Sequence, residues 1–347
     1  MATNEKSFSQ SYEANYLAAR QALYFNDIRS SADFYLAALG FDNNNSNLLK
    51  QSFLTQYITG NIDKAAALAR QMELMNLSVS NSSEPATAQA IIREDWDAVE
   101  VLSNNIAETV EARPIAGIIK AWALAVKGQH AAAISEILNS NEDLKIENKS
   151  LPEVFLMQAA YIAEFGEKIA EQKTFMRQLE KRKDISSQIR LQLAAMFARI
   201  GNAQSAKNLI TNLPHGFNKK QVSKLILQKI TKPKVNQIIS NGIVDASLIG
   251  KTRNSRRLLP ARLGLALYID PSNEAALFLL AQSLNQAEQN KDAIYQLNKI
   301  PGESVWYQPQ LLLLLDIEKK DDINLAIKRL ENELTRQPEN GFLFKEL

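Results

Sequence analysis

The chain has 347 residues, a formal net charge of +2, 46% hydrophobic residues, two histidines and no cysteine. Without cysteine there can be no disulfide, thiolate metal site or cysteine nucleophile. No run approaches the ~18 apolar residues of a membrane span, and residues 1–10 lack the apolar core of a signal peptide. We therefore expect no transmembrane segment, and a cytoplasmic protein as written, or a periplasmic or exported one if a signal was removed.

Glycine and proline are sparse, with 12 and 10 residues, which predicts a chain that is mostly helix. The apolar pattern, read with its turn residues, predicts antiparallel helix pairs. The first six are expected near 11–25/27–40, 46–59/61–75, 86–94/96–110, 114–127/129–139, 152–165/167–181 and 186–200/202–213. After an irregular stretch, three more are expected near 241–250/255–268, 272–287/290–299 and 304–318/321–335.

A repeat of 34 residues runs through these pairs. Gly60 and Gly128 stand two such periods apart, and each is followed five residues later by an alanine. Gly201 and Ala206 repeat that combination. A tight turn followed by a small residue, at this period, is typical of stacked helical hairpins.

Two segments carry the pattern of small and apolar residues most clearly. Segment 272–300 reads Leu277-x-x-Leu280-Ala281-x-x-Leu284 and then Ala293-x-x-x-Leu297. Segment 186–213 reads Leu193-Ala194-x-x-Phe197 and then Ala206-x-x-x-Ile210. At these positions the sequence resembles the tetratricopeptide repeat (TPR) family, over about residues 11–340.

This resemblance implies an all-α fold, an α-solenoid of stacked antiparallel hairpins coiled into a right-handed superhelix. The first helix of each hairpin would line a concave groove, and the expected role is protein–protein interaction. The overall layout, with Tyr16-Leu17-Ala18-Ala19-Arg20 in its first helix, is also similar to bacterial multi-TPR proteins of the cell envelope.

The predicted organisation has four parts. Residues 1–10 are a flexible N-terminus, 11–213 are N-terminal hairpins, 214–254 are an irregular basic helical segment, and 255–347 are C-terminal hairpins. Pro338-Glu339-Asn340 reads as the start of another first helix, so the chain is expected to end within a further repeat. Either the chain is a fragment, or these residues form a short cap.

Positive charge concentrates in residues 214–262, which hold eleven basic groups and one acid, Asp245. Three interpretations are open: a solvated surface neutralised by the acidic flanks, a site for an acidic protein, or a site for anionic lipid or nucleic acid. Few interleaved aromatics disfavour nucleic acid. The candidate binding residues in this window are Lys219, Lys220, Lys224, Lys251, Arg253, Arg256 and Arg257.

Tyr12 and Tyr16, one helical turn apart, are further candidates for partner binding at the mouth of the groove, or for an N-terminal capping contact. His130 and His215 fall in turns, so neither a zinc site nor a histidine-based triad is expected. We predict no enzyme activity, cofactor or metal.

These observations favour a scaffold that binds a peptide or partner helix through the concave groove. The alternative is an adaptor that uses residues 214–262 to dock on an acidic protein, anionic lipid or nucleic acid. The sequence does not determine an oligomeric state.

Overall fold

The computed structural model describes residues 11–77, 79, 81–107, 110–140, 151–228, 231–249 and 253–336, without the side chains of 253–255. Within these residues the chain is all-helical, with nineteen α-helices and a short 3-10 helix at Val110–Ala112. Successive helices pack against one another in pairs. The nine predicted pairs all have counterparts, which confirms the predicted fold class of stacked helical hairpins.

The helices divide between two compact units. Unit 1 comprises Met1–Ile185 and Pro233–Asn273. Its helices are α1 (Tyr12–Tyr24), α2 (Ile28–Leu39), α3 (Ser46–Ile58), α4 (Ile62–Leu74), α5 (Ser83–Ile92), α6 (Trp96–Ile106), α7 (Arg113–Val126), α8 (His130–Asn139), α9 (Glu153–Phe165), α10 (Ile169–Glu180), α14 (Val235–Ser247) and α15 (Arg253–Ile269).

Unit 2 comprises Ser186–Lys232 and Glu274–Leu347. Its helices are α11 (Ser187–Arg199), α12 (Ala203–Thr211), α13 (Lys219–Gln228), α16 (Glu274–Gln286), α17 (Asn290–Leu297), α18 (Tyr307–Asp321) and α19 (Ile323–Arg336). We call the leading helix of each hairpin the first helix. In unit 1 these are α1, α3, α5, α7 and α9.

Each hairpin turn from α1 to α12, and the turn between α16 and α17, has one residue in the left-handed backbone region. These residues are Asn26, Gly60, Glu94, Gly128, Glu167, Gly201 and Glu288. From Asn26 to Gly128 they recur every 34 residues, and Gly201 again follows Glu167 by 34. The repeat therefore continues through turns that have no glycine at this position, because an Asn or Glu there adopts the same left-handed conformation.

The fifth residue after the turn is buried in each of these hairpins. In four hairpins of unit 1 it is Ser31, Ala65, Val99 or Ala133, each fully buried. This position lies on the second helix, where it meets the first, so a short side chain lets the two helices approach closely.

The predicted irregular segment 214–254 contains more regular structure than the predicted pairs include. α13 is an additional helix, and α14 begins at Val235, six residues before its predicted start. The helix breakers Pro214, Gly216 and Pro233 fall between helices and interrupt none of them.

The predictions for residues 1–10 and for a repeat beginning at Pro338 lie outside the described residues. In the described part of the chain, no helix has the length and hydropathy that crossing a membrane requires.

The turn geometry predicts opposite effects for two substitutions. Glu94→Gly should raise the free energy of unfolding by about 1 kcal/mol, because the left-handed conformation strains a residue with a Cβ. Gly128→Ala should lower it by about the same amount. Urea denaturation with unchanged m-values would measure both. A loss of stability in Glu94→Gly would contradict the shared turn conformation.

Candidate functional site

Two helices from late in the sequence lie on the first helices of unit 1. α14 contacts α7 and α9, and α15 contacts α3, α5 and the start of α4. We call α14 and α15, residues 235–269, the returning hairpin. The sequence predicts a groove along these first helices, but from α3 to α9 the returning hairpin occupies their face.

Gln158 on α9 connects α14 to the first helices. Its side-chain oxygen accepts a hydrogen bond from Trp122 Nε1 at 2.7 Å, and its Nε2 donates to the Ile238 carbonyl at 3.4 Å. A Cβ on Gly242 would lie 2.8 Å from Gln158 Nε2 and 2.9 Å from Ile118 Cγ2. A glycine in α14 therefore lets this helix approach α7 and α9 closely.

Polar contacts also join the two helices of the returning hairpin. Ser240 Oγ on α14 donates to the Ala266 carbonyl on α15 at 2.8 Å. Asn273 Nδ2 donates to Ser240 Oγ at 2.8 Å and to Asn241 Oδ1 at 3.0 Å. Ser240 thus joins α14 to α15, and Asn273, four residues beyond the end of α15, extends this network of hydrogen bonds.

A buried charge pair anchors α15. Arg262 is 2% exposed, and its Nη2 lies 3.5 Å from Oε1 of Glu84, a fully buried residue on α5. Tyr57 on α3 donates its hydroxyl to the other oxygen of Glu84. Burial, and then the negative charge of Glu84, raise the pKa of Tyr57 well above its usual value. Residues from three helices therefore share one buried polar cluster.

Two glycines meet where α15 crosses the turn between α3 and α4. A Cβ built on Gly264 would lie 2.9 Å from the Cα of Gly60. Side chains essentially never come this close to backbone, so this crossing requires a residue without a Cβ at position 264.

The C-terminal end of α15 belongs to a partly exposed polar network with α4 and α5. Asp63 accepts hydrogen bonds from the Tyr268 hydroxyl and, at 2.8 Å, from Gln89 Nε2. These two bonds, Tyr268 first, lower the pKa of Asp63. Arg70 donates to Gln89 Oε1 at 3.1 Å.

The predicted basic candidates are divided between the two units. Arg256 and Arg257 are exposed near the start of α15 in unit 1. Arg253 begins that helix, but its side chain and the whole of Lys251 lie outside the described residues. The other three candidates, Lys219, Lys220 and Lys224, lie on α13 in unit 2.

Lysines within α13 differ in their surroundings. Lys219 Nζ donates to the carbonyl of Thr211, the last residue of α12, at 2.6 Å. Lys219 therefore caps a helix C-terminus, which is a structural role. Lys220 and Lys224 are exposed, one helical turn apart.

The aromatic candidates pack within the first hairpin. The rings of Tyr12 and Tyr16 stack with centroids 6.1 Å apart, and Tyr16 meets buried Tyr35 edge-on at 6.2 Å. This arrangement favours the capping interpretation of the two side chains. Their role in partner binding stays a prediction.

Among the described residues, no three His, Cys, Asp or Glu side chains are grouped to hold a metal ion. The His130 ring lies 5.8 Å from that of Phe165, and His215 is exposed in a turn.

No protein-family model and no curated protein matches the sequence. Among solved structures, yeast Tom70 is 12% identical with a TM-score of 0.42, over 99% of this chain and 69% of that one. A chain of the APC/C hetero-tetramer Cut9-Hcn1 is 10% identical with a TM-score of 0.36, over 88% of this chain. The TPR domain of P58(IPK) is 14% identical with a TM-score of 0.23, over 93% and 89%.

The chain spans 56% of the length of the Cut9-Hcn1 chain that it matches. Likenesses this distant assign neither a family nor a partner. The resemblance to bacterial envelope proteins therefore stays a prediction.

Sequence reasoning missed the returning hairpin, although two signals for it were present. Gly242 and Gly264 stand inside helices, where glycine is unfavourable unless another backbone or side chain comes close. Arg262 follows Leu258, Leu259 and Ala261 and precedes Leu263, an apolar setting in which an arginine needs a buried acid.

Gly264→Ala should lower the free energy of unfolding by about 1–3 kcal/mol, because the added methyl group forces α15 away from Gly60. The matched control is Gly302→Ala, whose Cβ would meet nothing closer than 3.8 Å. Urea denaturation of both variants would measure the difference. Equal stability in the two would refute the close crossing at Gly264.

The buried pair predicts non-additive effects on stability. Arg262→Met alone should cost about 3–5 kcal/mol, because Glu84 would remain buried as an uncompensated charge. Adding Glu84→Gln should recover much of this loss, since the glutamine still accepts a hydrogen bond from Tyr57. A double-mutant cycle by chemical denaturation gives the coupling energy, and strictly additive losses would contradict the pairing.

Proposed function

We propose that this protein is a non-catalytic scaffold for protein–protein interaction, built from TPR-like hairpins. The observation that carries the proposal is the packing of the returning hairpin on the first helices of unit 1. These first helices bind α14 and α15, which come much later in the sequence, through apolar packing, a buried ion pair and side-chain hydrogen bonds. The same contacts serve when a helix of another protein docks into a groove.

The partner would bind at another surface, because the returning hairpin already covers α3, α5, α7 and α9. We propose that a peptide or partner helix binds to first helices that the returning hairpin does not cover. In unit 1 this is α1, which carries Tyr12 and Tyr16. Among the first helices of unit 2 we propose α16 and α18, because these two contact each other as well as their own second helices.

A second candidate function is a basic adaptor that docks on an anionic surface. One observation favours it: residues 186–232, the first segment of unit 2, contain eight Lys and Arg and no Asp or Glu. Arg262, by contrast, is paired with Glu84 and is not available to a partner.

Reconstitution from pure components tests the scaffold role. Proteins captured from native lysate by the full chain would be purified and titrated against it by calorimetry. We expect at least one saturable complex of fixed stoichiometry. Amide hydrogen exchange should then show protection on α1, or on α16 and α18, and not on the already covered α7 and α9. If no captured protein binds the purified chain, the proposal fails.

A further inference from the structure

We propose that the outer face of α1 pairs with α1 of a second copy of this chain, in antiparallel orientation about a two-fold axis. This face, which we call the α1 seam, comprises four exposed residues, Glu13, Leu17, Arg20 and Tyr24. The inference goes beyond the proposed function, because it concerns association of the chain with itself. It uses a face of α1 next to the one that carries Tyr12 and Tyr16.

The α1 seam lies on the side of α1 that faces away from its hairpin partner. α1 packs mainly on α2, towards which it directs buried Ala19, whose carbonyl accepts a hydrogen bond from Ser31 Oγ at 2.9 Å. Leu17, two residues before Ala19, lies on the opposite side and is 63% exposed. Tyr24, two turns beyond Leu17, is 84% exposed. Two large apolar side chains therefore share one solvent-facing side of a short helix.

A third apolar side chain extends this surface at the C-terminal end of α1. Phe25 is 69% exposed, and its ring meets that of Tyr24 edge-on with centroids 5.3 Å apart. Isolated apolar residues are common on protein surfaces, whereas a group of them marks a surface that another molecule covers. The grouping of Leu17, Tyr24 and Phe25 is of this second kind.

The four seam positions are spaced as in a helix that pairs with another helix. Intervals of four, three and four residues place them in one row along α1, which is the row that forms the contact in a coiled coil. Glu13 and Arg20 are two turns apart, too far to pair with each other within the helix. Charged residues in such a row determine which orientation and register the partner helix adopts.

Charge complementarity selects a second copy in antiparallel orientation. A two-fold axis through the midpoint of the row places Arg20 opposite Leu17 of the second copy, with its guanidinium near Glu13 of that copy. The methylene groups of the arginine then cover the leucine. Tyr24 lies opposite Glu13 of the second copy, to which its hydroxyl can donate a hydrogen bond. In a parallel pair, by contrast, Glu13 would face Glu13 and Arg20 would face Arg20.

The composition of the row also favours a second copy over a membrane surface. Two of its four residues are charged, whereas a membrane-surface helix needs a continuous apolar face. A two-fold interface uses every contact twice, so this one row supplies two ion pairs and two tyrosine–carboxylate hydrogen bonds. Because α1 is only about 20 Å long, the interface is small. We expect a weak dimer, with a dissociation constant of about 10–100 µM.

The test is sedimentation equilibrium of the full chain from about 1 to 300 µM, a range that brackets weak complexes. We expect the wild-type chain to pass from monomer to dimer. Tyr24→Ala should weaken dimerisation at least about tenfold. The matched control is Leu74→Ala at the end of α4, because Leu74 is 86% exposed and lies outside the seam. Its dissociation constant should stay within about twofold of wild type.

Charge exchange tests the antiparallel register. Glu13→Arg alone and Arg20→Glu alone should each weaken dimerisation at least about tenfold, because like charges then face each other. The double variant should restore the dimer to within about threefold of wild type. An equimolar mixture of the two single variants should also dimerise, since one copy then carries two arginines in the row and the other two glutamates. Circular dichroism should show equal helicity in all variants.

A chain that stays monomeric over the whole range would refute the proposal. So would a dimer that Tyr24→Ala leaves intact, because the interface would then lie elsewhere. Single charge variants that weaken the dimer without rescue by the double variant would overturn the antiparallel pairing. If the chain is monomeric and a captured protein loses binding in Tyr24→Ala but not in Leu74→Ala, the seam belongs to that protein and not to a second copy. None of these results decides the scaffold role, which is tested with a different protein as partner.

Discussion

The buried ion pair between Arg262 and Glu84 determines where the returning hairpin sits within unit 1. Apolar contacts have little direction, so on their own they would tolerate α15 sliding along the first helices. A guanidinium that is 2% exposed tolerates no such shift, because any other position would bury it without a carboxylate. Gly264, two residues later, meets Gly60 only in this register. The pair therefore contributes specificity of docking more than net stability.

The rest of unit 1 follows from this docking. With α14 on one side and its own hairpin partner on the other, α9 is buried at every residue from Val154 to Glu164, as expected for a helix that is apolar around its circumference. In an open helical repeat, this face of the first helices would be available to a peptide. In unit 1 it is buried in the hydrophobic core. Recognition of other molecules is consequently proposed for α1 and for unit 2.

The basic residues of one sequence window have three different roles. Arg262 is paired inside unit 1, Lys219 caps the end of α12 in unit 2, and Lys220 and Lys224 are exposed. The sequence pattern marked all of this window as one candidate surface, because net charge counts residues and not their surroundings. In the structure, the burial and the hydrogen bonds of each basic residue distinguish its role from those of the others.

The sequence by itself determined the helical hairpins and their 34-residue period, because a turn and the small residue that follows it are local features. It revealed that turn at Gly60, Gly128 and Gly201, but not at Asn26, Glu94, Glu167 or Glu288, where residues other than glycine adopt the left-handed conformation. Only the tertiary structure decided that α14 and α15 return to the first helices. Arg262 and Glu84 are 178 residues apart, and no periodic pattern predicts a contact over that separation.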